Sequence, residues 1–272
     1  MPARAAAVAL PVALSVTLGQ ASDRGRKPVN QDFHGASVPT QPALGSKGIV
    51  VALADGIGSS QVSHVASQAA VRSVLEDYYC TSEAWSVKRS MQRVLAAANS
   101  WLHAQTERGA HRHDHDRGYV CAMSVLVLKG RTAHVFHAGD TRVYRLQGRT
   151  LELLTQDHRV WVGGGKSYLS RAIGFHAQLD VDYRAVPVER GDLFVLVSDG
   201  VYEHIEQREL IDAALRHGSA LDVAARDIVA LALTRGSADN LTVQLVRVEA
   251  LPEHQAAEVH RLRAGLLLPP SL

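Results

Sequence analysis

The sequence predicts an α+β protein built from layers of strands and helices. In the first half of the chain, apolar residues recur at helical spacing in two consecutive segments, whereas in the middle and near the end they alternate with a period of two. Strands therefore arrive in runs, with paired helices between the runs. This order favours a layered α+β fold over the regular strand–helix–strand alternation of a parallel sheet.

The individual elements follow from these two periods. Apolar side chains three and four positions apart predict helices over residues 61–79, 90–105 and 221–234, each with one face towards a core. Alternating segments bounded by turn residues predict the strands. These strands cover residues 14–18, 120–128, 132–138, 141–146, 181–188, 193–198 and 241–248.

Composition and charge exclude several classes of protein. The 272 residues are 46% hydrophobic and 21% charged, as in ordinary globular proteins, and a chain of this length can bury a core without disulfides or a metal. The net charge of +2 gives no electrostatic surface for nucleic acid or a membrane. Cys80 and Cys121 are too few for a disulfide framework or a zinc cage, which predicts a reduced, cytoplasmic setting.

The two ends of the chain are predicted to be tails around one domain. Arg4 precedes an apolar run, but about ten residues are too few to span a bilayer and no clean cleavage site follows, so a signal peptide is disfavoured. We expect residues 1–11 to form a flexible tail and residues 12–250 to form the domain. Residues 251–272 contain adjacent prolines and are expected to form a C-terminal tail or the start of a linker.

Four aspartates stand where apolar strands begin or end. Asp55 and Asp199 each follow such a strand and precede a glycine, Asp140 follows another, and Asp239 stands just before the last strand. Each one alone is more typical of a turn residue than of a ligand. Several carboxylates at one rim would repel each other, and hard divalent cations such as Mg²⁺ or Mn²⁺, which prefer oxygen ligands, would remove that repulsion.

Five motifs together resemble one family. They occur in the family's order and span nearly the whole predicted domain, so each supports the others. The chain resembles the metal-dependent type-2C (PPM) serine/threonine protein phosphatases in their bacterial form. The motifs are GRKPVNQD (25–32), ADGIGSS (54–60), HAGDTRVYRL (137–146), VLVSDGV (195–201) and GSADNLTV (236–243).

The resemblance implies a four-layer α-β-β-α sandwich of two antiparallel sheets, with a binuclear Mn²⁺ or Mg²⁺ centre at one end. Asp55 would bridge the two ions and the Gly56 carbonyl would be a further ligand. Asp199 and Asp239 would hold one ion, and Asp32 would act through metal-bound water. These four aspartates are the expected catalytic residues, because two such ions activate a water molecule that attacks phosphorus in line.

Further roles are implied for residues around this centre. Asn240 would orient the ligands from an outer shell. Lys27 would bind the phosphate where the family usually has arginine, with Arg26 as the alternative, although lysine lacks the bidentate fork of arginine. Asp140 would either hold a third, weaker ion or be a turn aspartate paired with Arg142.

Other features depart from the family or stay ambiguous. Gln31 replaces a usual glutamate, which would weaken one metal site, and residues 118–122 lack the usual Gly-Thr-Thr pattern, which we interpret as core variation. Residues 157–177 correspond to the family's flap, short here and made mobile by Gly163–Gly165. Three histidines within residues 111–116 could bind zinc, but a solvated loop is favoured.

The expected activity is hydrolysis of phosphoserine and phosphothreonine in proteins. The alternatives are a catalytically weak regulatory module that binds phosphoproteins, and a hydrolase of small phosphate esters. The expected partners are phosphorylated protein substrates and a cognate serine/threonine kinase, whose domain would lie outside these 272 residues. We expect a monomer that binds neither nucleic acid nor membranes.

Overall fold

The computed structural model describes residues 13–109, 112, 114–162 and 166–253. Twelve strands run in chain order: β1 (Ser15–Asp23), β2 (Asp32–Ser37), β3 (Ile49–Gly56), β4 (Cys121–Lys129), β5 (Thr132–Ala138), β6 (Arg142–Gln147), β7 (Thr150–Leu153), β8 (Arg159–Val162), β9 (Lys166–Leu169), β10 (Asp182–Pro187), β11 (Leu193–Val197) and β12 (Leu241–Ala250). The α-helices are α1 (Ala43–Ser46), α2 (Ser63–Cys80), α3 (Val87–Arg108), α4 (Asp199–Tyr202), α5 (Gln207–Arg216) and α6 (Leu221–Thr234).

Ten of these strands form two antiparallel sheets of five. One sheet has the order β1-β12-β11-β6-β7 and the other the order β10-β5-β4-β3-β2, while β8 and β9 form a separate hairpin. Every pairing in the two sheets is antiparallel. Helices α2 and α3 pack on the second sheet, and α5 and α6 pack on the first.

The result is the four-layer α-β-β-α sandwich that the resemblance implies. Because side chains alternate across a strand, β3 feeds two cores: Val50 and Ala52 face α2 and α3, whereas Val51 and Leu53 face the opposite sheet. Asp55 shares the face of Val51 and Leu53. Its carboxylate therefore projects into the space between the sheets, at the end where β3 stops.

Long elements are predicted correctly and short ones are missed. The helix over residues 221–234 and the strand over 132–138 have the predicted bounds. The sequence does not predict β7, β8 and β9, since four residues are too few to show a period, and it does not predict β2. Helix α5 is also not predicted. It begins with a capping box formed by Glu206 and Glu209, and a glutamate at the first position lacks the usual sequence signature of that motif.

The predicted tails lie largely beyond the described part of the chain. Residues 1–11 and Gly163–Gly165 lie outside the described residues, as do all but the first three positions of the predicted C-terminal segment. The division into tails and domain therefore stays a prediction. Among the described residues, no helix combines the length and the apolar character needed to cross a lipid bilayer.

Candidate metal centre

The fold gathers the predicted aspartates at one end of the sandwich. Asp32 at the start of β2 is paired in register with Asp55 at the end of β3. From the other sheet, Asp199 follows β11 and Asp239 precedes β12, which pairs with β11. Asp140, in the turn between β5 and β6, completes the group, and the electrostatic repulsion of all four neighbours reaches Asp55. These five residues are called the aspartate cluster below.

Two glycines allow the strands to approach closely enough for this. A Cβ atom on Gly56 would lie 2.8 Å from the Ser63 Cβ and 2.9 Å from the Gln31 carbonyl oxygen, and one on Gly200 would lie 2.1 Å from the Asn240 carbonyl oxygen. These contacts are too short for any other residue. The glycine after Asp55 and the glycine after Asp199 are thus needed for packing, whatever ligand the aspartates bind.

Asp32 is held deep inside the cluster by hydroxyl groups. Its Oδ2 accepts hydrogen bonds from Ser198 Oγ at 2.8 Å and Thr242 Oγ1 at 2.7 Å. Its Oδ1 is buried without a hydrogen-bond partner. Burial raises the pKa of Asp32 to about 6, even though the two hydroxyl groups favour the charged form. A buried carboxylate oxygen without a hydrogen bond is costly, and a bound cation would satisfy it.

The other central carboxylates also resist ionisation. Burial, reinforced by the charges of its four aspartate neighbours, holds the pKa of Asp55 well above its usual range. Burial, with repulsion from Asp140, Asp239 and Glu203, raises the pKa of Asp199 to about 7, although Arg159 opposes that shift. The cluster is therefore an excess of buried negative charge that the protein alone does not neutralise.

Two cations of the chain contact the cluster. Lys27 Nζ lies 3.0 Å from Asp239 Oδ2. Arg159, at the start of β8, donates from Nε to Asp140 Oδ2 at 2.6 Å and from Nη2 to Asp199 Oδ2 at 2.7 Å. The sequence predicted no role for Arg159 and neither of its contacts with Asp140 and Asp199.

The predicted pairing of Asp140 with Arg142 is wrong. Arg142 instead makes a bidentate contact with Asp157, at 3.0 and 2.7 Å, and lies over the ring of Tyr202. Asp140 pairs with Arg159 because β8 begins beside the β5–β6 turn. There the His158 amide donates a hydrogen bond to the Gly139 carbonyl at 2.7 Å. Asp140 and Arg142, which are close in the sequence, thus each pair with a residue of a more distant segment.

Of the two candidate phosphate-binding residues, Lys27 lies at the cluster and Arg26 is exposed at its edge. Asn240 holds the segment that carries them: its Oδ1 accepts from the Gln31 amide at 2.8 Å, and its Nδ2 donates to the carbonyls of Arg24 and Val29. These contacts are those of an orienting residue. The role itself stays a prediction.

The Gln31 side chain turns towards α2. Its Nε2 donates to the Ser60 carbonyl and to Ser63 Oγ, both at 2.6 Å. A glutamate could not donate to that carbonyl, so the amide is suited to this position. Whether the missing carboxylate weakens a metal site stays a prediction.

The other ambiguous features lie outside the cluster. Cys121 is buried in β4 within the core under α2 and α3, and burial raises the pKa of its thiol to about 12. Cys121 is therefore a packing residue and not a nucleophile. His111 and His113 lie outside the described residues, so the interpretation of that loop stays a prediction.

The donor set fits hard divalent cations. It consists of carboxylate oxygens, carries excess negative charge and includes the unpaired Asp32 Oδ1. As it stands, no group of three or more His, Cys, Asp or Glu side chains within the described ranges is already arranged around a point where an ion would sit. Arg159 contacts one oxygen each of Asp140 and Asp199, and Lys27 contacts one oxygen of Asp239.

A cleft of about 320 Å³ opens over the cluster. All the aspartates of the cluster except Asp32 line it, together with Ile57 and Gly58, which follow β3. The flap contributes Arg159 and the exposed ring of Tyr168. The cleft is open to solvent.

An α-β-β-α sandwich with an acidic cleft at the ends of its inner strands is the architecture of the type-2C phosphatases. The chain belongs to this family: the family model for protein phosphatase 2C matches residues 20–245. It is 28% identical over 243 residues to the serine/threonine phosphatase stp of Listeria welshimeri, covering 83% of this chain and 93% of that protein.

Solved structures agree with this assignment. PppA of Pseudomonas aeruginosa, described as a key regulatory component of T6SS, is 27% identical and superposes with a TM-score of 0.71 over 86% of this chain and 99% of its own. The catalytic domain of the phosphatase PstP, solved in complex with two manganese ions, is 24% identical with a TM-score of 0.71, over 87% of this chain and 100% of its own. The predicted fold and family are confirmed.

Several residues of the site were missed by sequence reasoning. Ser198 and Thr242 lie inside the motifs, next to Asp199 and Asn240, so their hydroxyl groups could have been noticed. Arg159 and Glu203 had no such signal, because a single charged residue in a loop or at a helix end is ordinary.

Proposed function

We propose that the chain is a metal-dependent phosphatase that hydrolyses phosphoserine and phosphothreonine in proteins at a centre of two Mn²⁺ or Mg²⁺ ions. The observation that carries this is the aspartate cluster, with its buried, unpartnered oxygen on Asp32. The serine/threonine phosphatases among its relatives support the substrate class. We further propose that residues 12–250 form the catalytic domain, which agrees with described strands running from Ser15 to Ala250.

Each residue would have a defined task. Asp55 and the Gly56 carbonyl, together with Asp199 and Asp239, would hold the ions. Two divalent ions bound there would supply an activated water molecule at neutral pH and would neutralise the phosphate oxygens. Asp32, which Ser198 and Thr242 keep fixed through one oxygen, would orient that water with the other.

Lys27 would recognise the phosphate. Its ammonium group lies within contact distance of Asp239 and close to Gly58, so it is at the wall of the cleft and not among the core residues. A lysine acts as a point charge, which attracts a phosphate dianion without fixing its orientation. Ile57, which lines the cleft, cannot donate a proton, so the leaving oxygen would take its proton from water or from another group.

The test is phosphate release from a phosphothreonine peptide and from an aryl phosphate, with Mn²⁺ and with EDTA. We expect activity on the peptide that requires the metal and falls at least about 100-fold in Asp199→Asn, because even residues that only support metal ligands contribute 10- to 100-fold. Asp212→Asn, which changes an exposed aspartate paired with Arg149, is the matched control and should keep its activity.

Two results would contradict the proposal. If the protein binds Mn²⁺ but releases no phosphate from either substrate, it is a regulatory module that binds phosphoproteins. If only the aryl phosphate is hydrolysed, across a range of phosphopeptides, the substrate is a small ester and not a protein.

A further inference from the structure

Arg159 connects three carboxylates at one side of the aspartate cluster. Its Nε donates to Asp140, its Nη2 to Asp199 and its Nη1 to Glu203 at 2.5 Å. Each of the three guanidinium nitrogens therefore serves a different carboxylate. The arginine side chain is only 16% exposed, and Asp140 is only 9% exposed. This is a largely buried cation with three carboxylate partners and not a surface ion pair.

The backbone fixes the position of this arginine. The residue before it, His158, exchanges two hydrogen bonds with Gly139: its amide donates to the Gly139 carbonyl, and its Nδ1 accepts from the Gly139 amide at 3.1 Å. Because Nδ1 is an acceptor, the ring proton is on Nε2, which donates to Asp182 at 3.0 Å. Arg159 and Asp140 thus start from backbone segments that are directly bonded to each other.

The place that Arg159 takes is the one that the resemblance assigns to a third ion. Such an ion would need Asp140, and the guanidinium that contacts Asp140 also contacts Asp199. Here both residues already give an oxygen to the guanidinium, which keeps its charge at any pH a protein tolerates. Asp140 and Asp199 therefore do not fit a third ion while Arg159 is in place, because that ion would lie beside the guanidinium. The second oxygen of Asp199, together with Asp55 and Asp239, can still serve two ions.

A third ion would also meet a positive charge. Arg159 contacts Asp140, Asp199 and Glu203, so a divalent ion bound to Asp140 and Asp199 would lie next to the guanidinium. Like charges repel each other at such a distance, and more strongly where water is partly excluded.

We propose that Arg159 is a built-in cation that replaces the third metal ion and fastens the base of the β8–β9 flap to the site. The inference rests on the proposed two-metal function and adds a stoichiometry to it. In this arrangement the Arg159 side chain holds the base of the flap at Asp140 and Asp199. The position of Tyr168 over the cleft therefore does not depend on a weakly bound ion.

The test counts bound Mn²⁺ by equilibrium dialysis, without any measurement of activity. We expect two ions per chain in the wild type and three in Arg159→Ala, where Asp140 and Asp199 become available. The third ion should be lost again in Arg159→Ala/Asp140→Asn. Arg171→Ala is the matched control: this arginine at the end of the same flap pairs with Asp180 and Asp182, and its loss should leave two ions.

A second variant does not depend on removing the arginine. Asp140→Asn in the wild-type background keeps Arg159 and the shape of the side chain, and the ion count should stay at two. Three ions in the wild type, a lost ion in Asp140→Asn, or two ions in a folded Arg159→Ala would each overturn the role of Arg159 and leave the proposed function intact. Absence of Mn²⁺ binding in the wild type would overturn the proposed function itself.

Discussion

The two ends of β11 show opposite ways of placing charge inside this protein. At its start, Asp192 accepts from Arg145 at 2.6 and 3.0 Å, from Gln147 at 3.0 Å and from the Glu189 amide at 2.9 Å. Both carboxylate oxygens are satisfied, and one arginine matches one aspartate. At its other end, Asp199 shares a single arginine with two further carboxylates.

The comparison separates a structural ion pair from a binding site. Burial alone does not distinguish them, because Asp192 is even less exposed than Asp199. The two ends differ in the ratio of carboxylates to cations. A buried carboxylate that is paired with an arginine and fully hydrogen-bonded needs no further partner, whereas an excess of carboxylates over cations requires a cation from outside. Removing an acid should therefore have opposite effects on stability at the two ends.

The largest expected effect is on catalysis, at the aspartate cluster. Asp55→Asn removes the carboxylate that would bridge the two ions, and activity should fall by about 1000-fold, or about 4 kcal/mol of transition-state stabilisation. The measurement is kcat/KM on a phosphothreonine peptide at saturating Mn²⁺. The fold should persist, since the asparagine relieves repulsion from four neighbouring aspartates. Retained activity would show that Asp55 is not a ligand.

Asp192→Asn tests the start of β11, where Asp192 is paired with Arg145. It leaves the Arg145 guanidinium buried without its counter-charge, so the free energy of unfolding should fall by about 3 kcal/mol. Urea denaturation measures the change, and Asp212→Asn on the surface should stay within about 0.5 kcal/mol of the wild type. Activity per folded molecule should not change. An unchanged urea midpoint would refute the assignment of this pair as structural.

Asp199→Asn in the absence of divalent ions should have the opposite sign. The pKa of Asp199 is about 7 in the fold against an ordinary 3.8, so the folded state holds a proton that the unfolded chain releases. The relative stability this gives at low pH is lost as the pH rises from about 4 through 7. The asparagine should therefore raise the Tm by about 5 °C at pH 8 and by less at pH 5.

Adding Mn²⁺ provides the control for that prediction. The ions should raise the Tm of the wild type at pH 8 and should raise that of Asp199→Asn much less, because metal binding requires the ionised ligand. A variant that is less stable than the wild type at pH 8 without metal would mean that the Arg159 contact outweighs the repulsion.

Gln31→Glu has the smallest expected effect. It adds one more acid near the aspartate cluster, but the side chain would face the Ser60 carbonyl, to which a carboxylate cannot donate. The free energy of unfolding should fall by about 1 kcal/mol, and the affinity for Mn²⁺ should change less than about twofold. Calorimetric titration measures the affinity. A tenfold gain would show instead that the native glutamine weakens a metal site.

The sequence by itself determined which carboxylates stand at the ends of apolar strands, and the resemblance implied that they meet. Asp55 and Asp199 directly follow apolar strands, and the glycines after them permit close packing, so their positions follow from strand pairing. Backbone periodicity and local motifs carry this information, and the resemblance to one family adds the order of the layers. Long helices and strands were predictable for the same reason.

Only the tertiary structure decided which cations these carboxylates contact. The sequence left a third ion and Arg142 as alternatives for Asp140, and Lys27 and Arg26 as alternatives for the phosphate. The structure pairs Asp140 with Arg159 and brings Lys27 to Asp239. Long side chains reach several ångströms in many rotamers, so their partners depend on which distant segments the fold brings near. An aspartate side chain is short, so the position of its carboxylate depends mainly on the strand that carries it.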